Sequence, residues 1–181
     1  LFDSVNGDQI KQKENRTIYG YTGTYQKPLV IASKSARIEA SAGIRHDVVN
    51  DSELSHVRKR YAFLNPITLG DIDQTNANVA GGITMNVSDR LIVNGGARVD
   101  AFLFQYSDRL SGPYERQSES EVVISPKLNL FYHMTPDLQV YLKNGIGFHS
   151  NDARVVVARS GEQILPQAYG TDLGVFAKPV K

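Results

Sequence analysis

The sequence predicts an all-β fold, namely a section of an antiparallel transmembrane β-barrel with about seven to eight strands. Three observations predict it: long segments in which apolar and polar residues alternate, an absence of charge from the apolar side of each segment, and short turns that alternate with long polar connections. Side chains alternate between the two faces of a strand, so each segment has one apolar and one hydrated face. A wall between lipid and water needs this arrangement.

The first three predicted strands show the alternation in turn. In residues 15–27 three tyrosines share one parity while arginine, threonine and glutamine share the other. In residues 37–45 isoleucine and alanine take the even positions, and arginine, glutamate, serine and glycine take the odd ones. Residues 76–87 carry alanine, valine, isoleucine and methionine at odd positions, opposite asparagine and threonine. We place the turn between the first two strands at Pro28.

The last four predicted strands repeat the pattern. They are residues 90–103, 121–134, 138–148 and 169–178. A membrane strand needs about 9–11 residues, whereas strands in soluble domains centre on about 5–6. A soluble sandwich would also exclude charge from its inner face, so this feature does not distinguish the two folds. The length of the strands favours the membrane wall. The pairs Gly81-Gly82 and Gly95-Gly96 lie inside strands, where glycine admits curvature or close backbone contact.

The connections between the strands fall into two classes. Ser88-Asp89 and Thr135-Pro136-Asp137 are short turns, with residues typical of turns. The long polar connections are predicted over residues 48–75, 107–120 and 149–167. In a barrel, this alternation places the short turns at one rim and the long loops at the other. Residues 55–66 are interpreted as an extension of the neighbouring strands beyond the membrane, not as another crossing.

Composition excludes several other classes of protein. The chain has 181 residues, of which 41% are hydrophobic and 22% charged, with a net charge of +1. This balance argues against disorder and lacks the basic excess that nucleic-acid binding requires. No apolar run reaches the roughly 18 residues of a membrane-spanning helix. With no cysteine, the chain has no disulfide, thiolate metal site or thiol nucleophile.

The strand count predicts a piece of a larger barrel. Seven is odd, whereas bacterial single-chain barrels have even numbers of strands. The chain also begins abruptly at Leu1 and ends abruptly at Lys181, so we expect a fragment.

Several motifs occur in an order that resembles a known family. The strand 125–132 reads SPKLNLFY, a turn follows, residues 145–149 read GIGFH, and residues 171–174 read TDLG. Upstream, residues 42–47 (AGIRHD) and 95–100 (GGARVD) have the same G-x-R-x-D pattern. Together these motifs resemble the β-barrel of TonB-dependent outer-membrane receptors, in which similar strands recur in this order.

The resemblance implies a barrel of about 22 strands with a plugged lumen. Members of the family import scarce nutrients across the outer membrane with energy from the TonB complex of the inner membrane. We therefore expect residues 1–181 to be a partial barrel, with the plug and the TonB-contacting box before Leu1 and the remaining strands after Lys181. The expected cargo is a siderophore, a metal chelate or an oligosaccharide. The expected partners are outer-membrane lipid, the TonB complex through the absent plug, and an unidentified small-molecule or glycan ligand, without nucleic acid.

Charged residues on the polar parity are predicted to face the lumen. They are Arg37, Glu39, Arg45, Arg98, Asp100, Glu121, Lys127 and Lys143. Some could contact substrate or plug, but a hydrated network that braces the wall is the favoured interpretation. His149, Asp152 and Arg154 are assigned to an extracellular loop. There His149 and Asp152 could contact a metal chelate, although solvating or bracing the loop is their simpler role.

No catalytic residue, metal site or cofactor is expected. The four histidines lack metal-ligand spacing, and no G-x-S-x-G motif is present. Two alternatives remain open. One is a complete small outer-membrane barrel of about eight strands that acts as an adhesin or structural protein. The other, less favoured, is a soluble β-sandwich binding module.

Overall fold

The structure is a computed structural model, and it describes residues 9–110, 116–149 and 165–178. In this part of the chain, seven strands form one antiparallel sheet in which each strand pairs with its neighbours in sequence. The strands are β1 (Ile10–Ile31), β2 (Lys34–Arg58), β3 (Ala62–Asn86), β4 (Leu91–Asp108), β5 (Arg116–Thr135), β6 (Leu138–Phe148) and β7 (Gln167–Ala177). The predicted fold class and the count of seven strands are confirmed. The sheet is open, because β1 and β7 each have a single neighbour among the described strands.

The connection between β2 and β3 differs from the prediction. Each of these strands has 25 residues, and their pairing continues outward until Arg58 lies opposite Ala62. The long polar connection predicted over 48–75 is therefore wrong, and the interpretation of residues 55–66 as a strand extension is confirmed. Register shifts between Val49 and Ser52 and beyond Leu54 interrupt the alternation. The backbone pairing continues there, but the period-two signal is lost.

The first turn also differs from the prediction. It lies at Ala32 and Ser33, both with positive φ, while Pro28 lies inside β1 opposite Arg37. Proline has no N–H to donate, and the pairing of β1 with β2 continues on both sides of this position.

One face of the sheet is apolar and uncovered. Val79, Ile124 and Leu173 are 57%, 56% and 72% exposed, although they lie on three different strands. Within the described residues, no second layer packs against this face. No helix in the described part of the chain is long and apolar enough to span a membrane.

The opposite face is the concave one. A cavity of about 410 Å³ on this face is lined by residues of six consecutive strands, from Thr24 on β1 to Gly145 on β6. A single sheet can enclose such a space on only one side if it curves around it. The polar parity predicted to face a lumen lines this cavity, with Glu39, Arg98 and Lys127 among its residues.

Toward the outer end of the sheet, away from the short turns, the concave face carries a small apolar core. Its buried members are Val49, Ile72, Phe104, Tyr106, Val123 and Leu165. Phe102 stacks on Phe104 at 5.5 Å between ring centroids, and Phe148 meets Phe102 edge-on at 5.7 Å. Leu165 lies just before β7 in the chain but joins a core whose other buried members are on β2 to β5.

Candidate functional site

The floor of the concave groove is glycine backbone. Gly82 on β3 lies directly opposite Gly96 on β4. A Cβ atom on Gly96 would lie 2.7 Å from the carbonyl oxygen of Gly81, so no larger residue fits without a shift of the backbone. The glycine pairs therefore provide the close backbone contact that the sequence predicted, and they leave the middle of the groove free of side chains.

The walls of the groove carry opposite charges. Register places Glu39, Gly82, Gly96 and Lys127 in one row across four strands. Neighbouring strands lie about 4.8 Å apart, so the two charged residues stand roughly 14 Å apart along the sheet. Nε2 of Gln26 donates to Oε1 of Glu39 at 3.2 Å, whereas Lys127 is exposed and has no side-chain ion pair among the described residues.

Below this row, uncharged hydrogen bonds link three strands. Asn94 Nδ2 donates to Thr84 Oγ1 at 2.8 Å, and Asn129 Nδ2 donates to Asn94 Oδ1 at 2.9 Å. Lys143 lies nearby on β6, 4.0 Å from Asp172 and 4.4 Å from the ring centre of Tyr141. These contacts order the polar wall without an enclosed ion pair.

The two G-x-R-x-D motifs form the same structure. In each, the arginine donates through Nε and Nη2 to both oxygens of the aspartate two residues later. The distances are 2.6 and 2.8 Å from Arg45 to Asp47, and 2.6 and 2.7 Å from Arg98 to Asp100. Residues i and i+2 share a face of a strand, and the guanidinium fork matches a carboxylate.

The fork on β4 is the more deeply set of the two. The Asp100 side chain is 1% exposed and also accepts a hydrogen bond from Asn76 Nδ2 at 3.1 Å. Asn78 in turn donates to Asn76 at 3.2 Å. Arg98 and Asp100 are therefore tied into the wall by strong, charge-assisted bonds, and so is Arg45 through Asp47.

Glu121 has a different partner from the one expected. Its Oε2 accepts the backbone N–H of Leu165 at 3.1 Å. The carboxylate thus holds the segment before β7 against the apolar core. No local pattern marks this contact, because the two residues are 44 positions apart in the chain.

Ion pairs at the outer end of the sheet were also not predicted. Arg109 Nη1 lies 2.6 Å from Asp51 Oδ1 and 3.3 Å from Asp71 Oδ1. The hydrogen bond that Arg109 donates to Asp51, together with the negative charge of Asp71, raises the pKa of Arg109 above its usual value. Arg116 pairs with Asp73 at 2.5 Å. These residues come from separate strands and turns, so no local motif marks them.

The predicted loop residues are only partly described. His149 follows β6 and is exposed, and its backbone N–H donates to the carbonyl of Pro166 at 3.4 Å. Asp152 and Arg154 lie outside the described residues. In the described ranges, no group of three or more His, Cys, Asp or Glu side chains is placed to hold a metal ion.

The register brings all eight predicted lumen residues to the concave face. They do not form one cluster. Arg45, Arg98 and Asp100 are engaged in the forks, and Glu121 holds Leu165. Arg37 and Lys127 are exposed cations without an ion pair in the described part of the chain.

Comparison with solved structures gives the same fold. The ferric citrate transporter FecA in its unliganded form superposes with a TM-score of 0.72 at 13% sequence identity, over 92% of this chain and 26% of FecA. This chain thus spans about a quarter of the length of FecA. Ail, the attachment invasion locus protein of Yersinia pestis, aligns with a TM-score of 0.28 at 11% identity, over 92% of this chain and 98% of Ail. At that score the likeness to Ail supports no conclusion.

Comparison of sequences identifies the family. No curated protein matches the chain. The family model described as "TonB dependent receptor-like, beta-barrel" matches residues 2–165, which is most of the chain. The family match, the FecA-like sheet and the recurring G-x-R-x-D strands agree, and the chain belongs to the TonB-dependent receptor-like β-barrel family.

Proposed function

We propose that this chain is a section of the wall of an outer-membrane receptor that imports a nutrient with TonB-coupled energy. The observation that carries the proposal is the division of one curved sheet into an uncovered apolar face and a concave polar face. Barrels of this family lie in the outer membrane. There, the apolar face contacts acyl chains and the concave face lines a hydrated passage.

The rest of the receptor lies outside this chain. The unpaired edges of β1 and β7 expose backbone N–H and C=O groups, which the remaining strands of a larger barrel would satisfy. The span of about a quarter of FecA supports this part of the proposal. Coupling to TonB belongs to the plug, so this section alone neither closes a pore nor transports.

Five of the eight lumen residues fall into two roles. Arg45, Arg98 and Asp100 brace the wall, because their polar groups are already satisfied by one another or by neighbouring strands. Arg37 and Lys127 are proposed to contact the cargo or the plug, since their charges are exposed and not neutralised by the described residues.

The class of cargo remains a siderophore, a metal chelate or an oligosaccharide. Two uncompensated cations on the concave face favour an anionic chelate over a neutral glycan, because a surface lined by one sign of charge attracts ligands of the opposite charge. The receptor is proposed to act by binding and translocation, without catalysis.

The full-length receptor in its native cells provides the test. We expect it in the outer-membrane fraction, and we expect growth on one defined iron or glycan source to fail when its gene is deleted. Uptake of that nutrient should also stop in cells that lack TonB. Recovery of the receptor from the soluble fraction would reject the proposal, and uptake that persists without TonB would reject the coupling.

A pair of variants tests the assigned residues. The double change Arg37→Gln and Lys127→Gln is expected to lower uptake about tenfold, as loss of hydrogen bonds to a charged ligand does. Arg90→Gln is the matched control, because Arg90 is an exposed cation beside a short turn and outside the groove. Equal uptake by the double variant and the control would show that these two cations serve only the wall.

A further inference from the structure

The tip of the β2–β3 hairpin has a concentration of positive charge. Arg58, Lys59 and Arg60 are consecutive and exposed, and Lys11 and Lys13 lie on the adjoining part of β1. In the described part of the chain none of these five cations forms an ion pair.

Elsewhere on the sheet, five arginines are neutralised. Arg16, Arg45, Arg98, Arg109 and Arg116 each lie within 4 Å of at least one carboxylate oxygen. The carboxylate nearest the tip by register, Glu53, accepts a short hydrogen bond from the hydroxyl of Ser55. The positive charge of the tip is thus left for a partner outside the described residues.

The turn itself departs from the usual turn chemistry. Lys59 and Arg60 both have positive φ, 52° and 70°. Two consecutive residues with positive φ are normally asparagine and glycine, because a Cβ atom comes too close to the backbone carbonyl oxygen in the left-handed region. The turn between β1 and β2 has the same geometry, with φ of 47° and 64°, and it also holds residues with a Cβ atom, Ala32 and Ser33, but neither of them is charged. The stability of the turn therefore does not explain why long cationic side chains occupy these two positions.

Beside this turn lies a shallow recess of about 360 Å³. Ile10 and Val57 give it apolar surface, and Lys11, Arg60 and Tyr61 supply two cations and an aromatic ring that is 84% exposed. The recess is held in shape by Gln9: its carbonyl accepts the N–H of Val57 and its side-chain Oε1 accepts the N–H of Arg60, both at 2.9 Å.

An aromatic face beside two cations matches one ligand chemistry. The ring of Tyr61 can pack against the apolar face of a sugar, and lysine and arginine bind phosphate or carboxylate substituents. We propose that the β2–β3 tip is a binding site for an anionic saccharide, one whose sugars carry phosphate or carboxylate groups.

The position of the tip fits this ligand. About 11 residues at the short-turn end of β2 suffice to cross a membrane, so the other half of the 25-residue strand carries the tip beyond the lipid. Saccharides of this kind reach it either as the head groups of the surrounding outer-leaflet glycolipid or free in the medium. The site rests on the membrane orientation of the proposed function, and it is independent of cargo uptake.

The decisive variant removes the charge and improves the turn. In Lys59→Asn with Arg60→Gly, the two positions with positive φ receive the residues that prefer them, so loss of binding is not loss of folding. The matched control, Ala32→Asn with Ser33→Gly, makes the same change in the turn at the opposite end of β2 without altering charge.

Binding is measured on the purified full-length receptor with three probes. These are a phosphorylated core oligosaccharide freed of its lipid, the same oligosaccharide after removal of its phosphates, and intact lipopolysaccharide. We expect the charge-removing variant to bind a phosphorylated probe at least about tenfold more weakly than wild type, and the control to bind as wild type does. We also expect removal of the phosphates to weaken binding to a similar degree.

Each outcome decides the proposal. Variant-sensitive binding of the free oligosaccharide supports the site with a soluble ligand, and variant-sensitive binding of intact lipopolysaccharide alone supports it with the glycolipid as source. Equal binding by wild type and the charge-removing variant overturns it, and so does measurable binding of both oligosaccharides with equal affinity. Variant-sensitive retention of an acidic protein without any saccharide binding also overturns it. A receptor that binds the saccharide but fails to import a nutrient would count against the proposed transport alone.

Discussion

The two ends of this sheet place their apolar side chains on opposite faces. Near the short turns, Ile83 and Leu128 lie on the convex face and are 37% and 50% exposed. Toward the outer end, Val49, Ile72 and Phe104 lie on the concave face and are no more than 9% exposed. The difference reflects what surrounds each end in the proposed orientation. At the short-turn end, the convex face contacts acyl chains, which accommodate apolar side chains. At the outer end, the convex face contacts water, which favours burial of the apolar side chains on the concave face.

The largest expected effect tests the inward-facing core. Phe104→Ala should lower the free energy of unfolding by about 3–5 kcal/mol, because it opens a cavity in a packed cluster. The measurement is urea unfolding of the full-length receptor folded into phospholipid vesicles.

Leu103→Ala is the control for this core. Leu103 is the neighbouring residue on the convex face and is 42% exposed. A side chain that is already partly exposed on the convex face loses fewer packing contacts on truncation, so the effect should be clearly smaller than that of Phe104→Ala. Equal losses for the two variants would contradict the difference between the faces.

A charge on the apolar face should have the next largest effect. Val79→Arg should destabilise the folded receptor in vesicles by about 2–4 kcal/mol if the residue lies near the middle of the bilayer. Ala80→Arg, one residue along on the concave face, should cost much less, because its guanidinium reaches the hydrated groove. If the two arginines destabilise equally in vesicles, the apolar face does not contact lipid.

The smallest expected effect concerns the groove floor. Gly96→Ala should destabilise by about 1–3 kcal/mol, because its Cβ would lie 2.7 Å from the carbonyl oxygen of Gly81 and force the strands apart. Gly147→Ala is the control, since nothing lies within 4 Å of a Cβ atom there. The same unfolding experiment would contradict the close approach if Gly96→Ala were as mild as the control.

The sequence predicted the part of the fold that a strict alternation of residues specifies. The seven strands, their two faces and the concave position of Arg37, Glu39 and Lys127 all follow from period two in segments with lipid on one side. The outer half of β2 and β3 was misread as a long connection. Register shifts there, as after Val49, move successive residues between the faces, so the pattern disappears although the pairing persists.

What the sequence alone determined is therefore the wall: the number of strands, the residues on each face and the family that the ordered motifs indicate. The tertiary structure decided which charges remain unpaired and which are neutralised. The partners of Arg109, Glu121 and Phe104 come from distant parts of the chain, and such contacts form only when the register of the whole sheet is set. Local alternation fixes which face a side chain is on, but only pairing between strands fixes its neighbours.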